Sequence, residues 1–240
     1  MAGIPGSRDV GRIVGLWRYP VKSMAAEELE AVEVSWHGLE GDRRWAFVRP
    51  EMERSGFPWL TIREQPDLWQ YRPSFVDPSR PDASRTTVAT PAGAELDVAD
   101  EALAAELGEG VRVIKQNRGV FDTAPLSLIS TRSIASIDAL VAPALHALRF
   151  RPNLLVEPIG GVDFPEDTWV SRVLTIGGLA MRVDERDQRC VMINVDPVSR
   201  TRDASVLKTV ATQREACLGV YGSIVTPGRV SLGDRVRVVD

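Results

Sequence analysis

The chain has 240 residues, of which 44% are hydrophobic and 26% charged, the balance of a soluble globular protein with room for one large β domain or two ordinary ones. Its net charge of −4 argues against a general nucleic-acid role, and no stretch reaches the ~20 apolar residues of a membrane-spanning helix, so no membrane partner is expected. Two cysteines, Cys190 and Cys217, are too few for an iron–sulfur cluster or a cysteine-rich zinc site, and the expected setting is a reducing compartment, the cytoplasm.

Residues 10–19 have strand composition and stop at Pro20, which leaves Lys22 and Ser23 in a loop. Residues 29–34 alternate apolar and polar as a half-buried strand does. Two glycines, Gly38 and Gly41, mark a turn before a strand over 44–48, and 59–62 reads as another short strand. Residues 69–76 suit a sheet edge, because Pro73 cannot donate to a ladder. Residues 86–90 and 94–98 form a hairpin around Pro91-Ala-Gly93, followed by a short helix over 101–107 that Asp100 caps and Gly108 ends. Residues 111–115 are again strand-like.

A domain boundary falls in 116–121, giving domains 1–118 and 119–240. Beyond it, Asp122 and Thr123 precede an apolar run over 126–129. Thr131 can cap a helix to about residue 140. A strand over 154–156 follows Arg151 and Asn153. Residues 173–176 and 179–183 flank Gly177-Gly178, a hairpin signal. Residues 187–197 hold Arg189 and Cys190, a short β-type run over 191–195, and an Asp196-Pro197 turn. A short helix over 206–212 and strands over 220–225 and 230–239 complete the chain. Short strands at regular turn spacing predict a mainly β, barrel-like architecture with few short helices.

No phosphate loop, dinucleotide fingerprint or histidine metal spacing is present; His37 and His146 lie far apart. Cys190 is the residue with the most chemistry. Its sulfur suits a soft or redox-active metal, and the adjacent Arg189 can grip an anion. Equally, a free cysteine can serve as a small buried hydrophobe, and Cys217, between Ala216 and Leu218, reads as core filler. The other polar residues beside turns are unspecific when taken singly.

Together these residues form an ordered set. Tyr19-Pro-Val-Lys-Ser23, Gly41-Asp-Arg-Arg-Trp45, Asp122-Thr-Ala-Pro125, Phe150-Arg-Pro-Asn153, Glu166-Asp-Thr-Trp169, Arg189-Cys190 and Val195-Asp-Pro197 stand in the order and spacing of the MOSC proteins. The chain resembles that family from about Val10 onward, including the N-terminal β-barrel extension found in the mitochondrial amidoxime reducing component. The resemblance implies a MOSC β-barrel domain packed against an N-terminal β-barrel-like domain, and a molybdenum cofactor with Cys190 as the metal ligand. It implies that Lys22, Ser23, Arg43, Arg151, Asn153 and Arg189 hold the cofactor, with Asp122 and Thr123 beside it. Tyr221 and Asp196 join Cys190 as candidate catalytic residues. The sequence departs from the family at Gln188 and at Val198-Ser-Arg200, where the last position is usually glycine.

The activity implied is reduction of a small N-hydroxylated substrate, with electrons from a ferredoxin- or cytochrome-like partner. A cofactor carrier or sulfur-transfer protein using Cys190 is the alternative, and a non-catalytic β-barrel module the third.

Overall fold

A computed structural model of the chain describes residues 6–52, 54–141 and 145–239. The protein is mainly β and divides into two compact units. The barrel unit comprises the described residues of Met1–Trp17, Glu28–Leu39 and Thr123–Asp240; the smaller unit comprises Arg18–Glu27 and Glu40–Asp122. Among the described residues there are three α-helices: α1 (Glu101–Leu107) in the smaller unit, and α2 (Thr131–Asp138) and α3 (Ala204–Arg214) in the barrel unit. None of the described helices is long and apolar enough to cross a membrane.

Seven strands among the described residues close the barrel: β1 (Ser7–Arg18), β2 (Leu126–Ser130), β3 (Leu154–Pro158), β4 (Val173–Ile176), β5 (Leu179–Gln188), β6 (Cys217–Thr226) and β7 (Arg235–Val239). Around the ring the order is β1-β3-β2-β6-β5-β4-β7, and β7 returns to β1. Every pairing is antiparallel except β2 with β3, which is joined by the crossover through α2 that a parallel pair needs. Alternation along the strands builds the core. On β1, Val10, Ile13 and Leu16 are buried while Arg12 and Val14 are exposed. Leu128, Leu154, Leu174, Met181, Val220 and Val236 join the same cluster, each contributing about 1.5–3 kcal/mol by burial. Gly177, at φ 56, turns β4 into β5 as the hairpin signal predicts.

A second apolar cluster joins Ile134 and Ile137 of α2, Val206 and Val210 of α3, Phe150 and Ile193. It explains a departure from expectation. The β-branched run at 191–195 is not β-type; Val191–Asn194 is a 3-10 helix. The chain leaves the sheet after Gln188 pairs with Cys217, then coils so that Ile193 enters this cluster while Val191 is exposed. The cap of α2 is Ser130 rather than Thr131, because Ser130 ends β2 with the extended backbone a cap requires and accepts from Ser133 N at 3.0 Å. Asp203 caps α3, which is longer than the expected 206–212.

In the smaller unit, Arg72–Phe75, Thr86–Ala89 and Glu95–Asp97 form an antiparallel sheet with the Pro73 strand at its edge. Trp45–Val48 pairs antiparallel with Arg112–Lys115. Residues 59–62 give one bridge, Trp59 with Val48, and no strand, since the chain turns at Thr61, whose carbonyl accepts from Glu64 N and Gln65 N. Asp100 caps α1 by accepting from Ala102 N at 2.8 Å, and Gly108 ends it.

Candidate functional site

In the barrel unit, Arg189 and Cys190 follow β5 as the chain turns out of the sheet. Arg189 N donates to Ala216 O at 2.7 Å and so fixes that exit. Cys190 is half-buried at the N-cap position of the 3-10 helix, and its carbonyl accepts from Ile193 N at 3.2 Å. The Arg189 guanidinium is committed to the framework. Its Nε donates to Leu218 O at 2.7 Å, its NH1 to Phe150 O at 2.8 Å, and its NH2 lies 2.9 Å from Asp187 Oδ2. The two side chains are 7% and 2% exposed, so the ion pair is shielded from water. Gly219 makes room for it: at φ +80 it carries no Cβ, which would lie 3.0 Å from Arg189 NH2 and 2.8 Å from Leu128 O.

Arg151 is buried and takes the left-handed conformation, φ 50, at the end of the 3-10 helix Ala147–Phe150. Its carbonyl accepts from Ser127 Oγ at 3.5 Å. Asn153 Oδ1 accepts from Ser127 N and Ser127 Oγ, both at 3.2 Å, and Asn153 Nδ2 donates to Trp17 O at 3.2 Å. This one side chain therefore ties β1 to β2. Asp196 accepts at Oδ1 from Val198 N (3.0 Å), Ser199 N (2.8 Å) and Ser199 Oγ (3.1 Å), and at Oδ2 from Arg149 NH2 (2.7 Å). Burial works to raise the Asp196 carboxyl, but these N–H groups, the hydroxyl and Arg149 outweigh it and hold it below the usual carboxylate range. Arg200, in the stretch where the sequence departs from the expected motif, takes the left-handed conformation at φ 63. Tyr221 is half-buried on β6 with Ser127 and Glu185 as register partners, and Thr123 is exposed. Cys217 is half-buried rather than core filler, because it pairs with Gln188 where the barrel sheet ends.

The other assigned residues lie in the smaller unit. Lys22 is 6% exposed; its Nζ donates to Val120 O at 3.0 Å and to Asp122 Oδ1 at 2.5 Å. Val120 N in turn donates to Arg43 O at 2.7 Å. Arg43 has φ 50, lies 4.5 Å over the Tyr19 ring, and donates from NH1 to Asp42 Oδ2 at 2.5 Å. Phe57 carries two cations on one ring, Lys22 Nζ at 5.5 Å and Arg63 Cζ at 5.0 Å from its centroid. Burial works to raise the Asp122 carboxyl, but Lys22, Arg43 and Arg63 prevail and hold it below the usual range. Ser23 is buried at φ 68.

The structure thus gathers Lys22, Arg43 and Asp122 in one cluster, and knits Arg151, Asn153 and Arg189 together in the other unit. Sequence reasoning missed Ser127, Arg149, Asp187 and Arg63. Ser127 had a signal, a polar residue alternating inside an apolar strand; Arg149, buried against Ile193 O and Asp196, has none. Ser23, Arg43 and Arg151 are three of the eight non-glycine residues with positive φ among the described residues. Such backbone is costly and persists where the surroundings over-determine it, which is common at binding sites. No group of three or more His, Cys, Asp or Glu gathers to hold a metal ion among the described residues.

Comparison with known proteins gives two family matches. Residues 115–237 match the MOSC domain, and residues 10–123 match the MOSC N-terminal beta barrel domain. The chain is 26% identical over 253 residues to a molybdenum cofactor sulfurase of Drosophila mojavensis, covering 88% of this chain and 31% of that protein. It is 27% identical over 132 residues to human mitochondrial amidoxime-reducing component 1, covering 49% of this chain and 38% of the relative. Against mitochondrial amidoxime reducing component 2 of Bos taurus it is 24% identical, over 97% of this chain and 85% of the other. The chain therefore spans about a third of the length of the first two relatives. Among solved structures, the YUAD protein from Bacillus subtilis superposes with a TM-score of 0.54 at 12% identity, covering 97% of this chain and 96% of that one, a likeness of fold.

Proposed function

The chain belongs to the MOSC family, and on that premise we propose that it binds the molybdenum cofactor and reduces N-hydroxylated compounds, amidoximes and hydroxylamines, with electrons from a partner redox protein. The observation that carries this reading is Cys190, a half-buried thiol on a turn that the shielded Arg189–Asp187 pair and the Arg189 N to Ala216 O bond hold in place. The names of the amidoxime reducing components support the substrate class.

The residues fit the group. A thiolate is a soft ligand suited to molybdenum, and the left-handed turns at Ser23, Arg43 and Arg151 are of the kind retained at binding sites. When bound, the cofactor supplies two-electron redox chemistry that protein side chains lack. The chain's own residues bind and orient. Cys190 presents the metal ligand; Lys22, Ser23, Arg43, Asp122, Thr123, Arg151, Asn153 and Arg189 are assigned to the cofactor. In this reading Arg189 acts by positioning, since its donors face the framework. Asp196 sets the turn after the ligand, and the Tyr221 phenol serves the substrate. Two cysteines not joined in a disulfide suit a reducing compartment such as the cytoplasm.

A second reading is favoured by the sulfurase match over 88% of the chain: a carrier of cofactor or sulfur on Cys190 that turns over no substrate. Metal analysis and pterin fluorescence on chain made in a cofactor-competent host, followed by benzamidoxime turnover with an artificial reductant, test both. The proposal expects stoichiometric molybdenum and turnover, both lost in Cys190→Ala with an unchanged circular dichroism spectrum and both kept in Cys217→Ala. Molybdenum without turnover selects the carrier; no molybdenum overturns both.

A further inference from the structure

The two-stranded sheet of the smaller unit leaves one edge open. Trp45–Val48 is engaged on both sides: it pairs with Arg112–Lys115, and on its far side Trp45 O accepts from Lys22 N and Phe47 O from Leu60 N. Those bonds fix the alternation. Trp45 and Phe47 turn their backbone groups away from Arg112–Lys115, so Ala46 and Val48 bond to Ile114 and Arg112. Val113 and Lys115, opposite Phe47 and Trp45, therefore aim their N–H and C=O groups outward. Among the described residues no strand pairs with that edge, and no backbone hydrogen bond reaches Val113 or Lys115 there. Along the edge runs a groove of about 720 Å³. One wall is the strand and its approach, Gly110 to Val113; the other is the face of α1 that carries Glu101, Ala104, Ala105 and Gly108. Small side chains on that wall leave space beside the edge. Asp100, Glu101 and Glu109 give the lining three carboxylates against one cation, Arg112. Asp100 caps α1, whereas Glu101 and Glu109 are exposed and pair with no cation among the described residues.

We propose that this groove is a docking site for an extended, basic segment of a partner protein, which adds a third strand beside Arg112–Lys115. Backbone bonds to Val113 and Lys115 supply the affinity, and the carboxylates of Glu101 and Glu109 choose the partner. An exposed edge with no such use is a liability, and the neighbouring sheet guards its own edge with Pro73. A second copy of the chain would bring the same carboxylates to the groove, whereas a basic segment neutralises them. The site lies wholly in the smaller unit and does not rest on the proposed function.

Amide NMR on the full chain, titrated with a short peptide of alternating lysine and valine and with its counterpart of alternating glutamate and valine, tests this. The lysine peptide should shift the Val113 and Lys115 amides and slow their exchange with solvent; the glutamate peptide at the same millimolar concentration should do neither. Val113→Pro removes an outward donor and no bond of the existing ladder, so it should abolish binding with the circular dichroism spectrum unchanged. Glu101→Gln combined with Glu109→Gln, both at the surface, should weaken binding about fivefold, which keeps the proposal falsifiable should Val113→Pro not fold. Binding that survives Val113→Pro, equal binding of the two peptides, unshifted Val113 and Lys115 amides, or unchanged affinity in the double variant overturns the proposal. So does a concentration-dependent dimer in sedimentation that Val113→Pro abolishes, because the occupant is then a second copy.

Discussion

The two units put their sheltered cations to different uses. In the barrel unit Arg189 and Arg149 donate to the carbonyls of Leu218, Phe150 and Ile193 and pair with one carboxylate each. Their charge is neutralised within the framework, and what they hold is the course of the chain around Cys190. In the smaller unit Lys22 pairs with the part-exposed Asp122, and Arg43 and Arg63 lie near enough to help hold the same carboxyl low. The difference teaches that an arginine next to a candidate ligand residue in sequence can be spent on the framework. Arg189 adjoins Cys190 in the chain, yet its guanidinium serves the scaffold.

Removing a scaffold arginine should have the largest effect. Arg189→Met takes the guanidinium away from the buried Asp187 carboxylate, and should cost about 3–5 kcal/mol in urea unfolding. Arg63→Gln in the smaller unit should cost under about 1 kcal/mol, and equal losses would break the distinction. Next in size is the space beside Arg189. Gly219→Ala adds a Cβ at positive φ against Leu128 O and Arg189, and should cost about 1–3 kcal/mol.

Salt sharpens the comparison further. Asp122 and Asp196 both have carboxyls below the usual range. A depressed carboxyl contributes stability that is fully present above its unfolded value of about 3.9 and is lost as pH falls through the lower folded value. The causes differ. Asp122 owes its depression to cations, and Asp196 mainly to Ser199 and Val198 N–H groups and the Ser199 hydroxyl. Raising salt to about 1 M should therefore move Asp122 back toward the ordinary value and leave Asp196 nearly in place, as read by carbon NMR of the two carboxyls. The smallest effect should be Arg200→Gly, below about 0.5 kcal/mol by the same urea assay, because relief of the left-handed strain offsets glycine's extra unfolded freedom.

What was legible in the sequence was local. The cap Asp100, the stop at Gly108 and the Gly177-Gly178 turn act over a few residues and appear as expected. The run 191–195 misled because β-branched residues favour strands, whereas Ile193 is drawn into a cluster built by α2 and α3. The candidate site was named from motifs, and its supports were opaque. Arg149 is buried by Ile193 and Asp196, more than forty residues away, and no spacing announces it; Asp187 pairs with Arg189 two residues on, a spacing too common to single it out. Cys217 looked apolar from its neighbours, but Gln188 across the ladder and the end of the sheet beside it leave the sulfur part-exposed.

The closure of the barrel has a consequence for the order of folding. β1 is read out first, yet its ladder with β7 pairs Ser7 with Val239, and its ladder with β3 pairs Gly11 with Pro158. During synthesis β1 must wait for residues near 158 before one edge is covered, and for the last strand before residues 7–12 of the other are. The smaller unit ends at Asp122 and has its whole sequence well before then. Long-range pairing of this kind is slow, and an unpaired edge is prone to wrong partners. A nascent chain halted between β6 and β7 should therefore expose the β7-facing edge of β1, the point at which a chaperone or a second nascent chain would meet it.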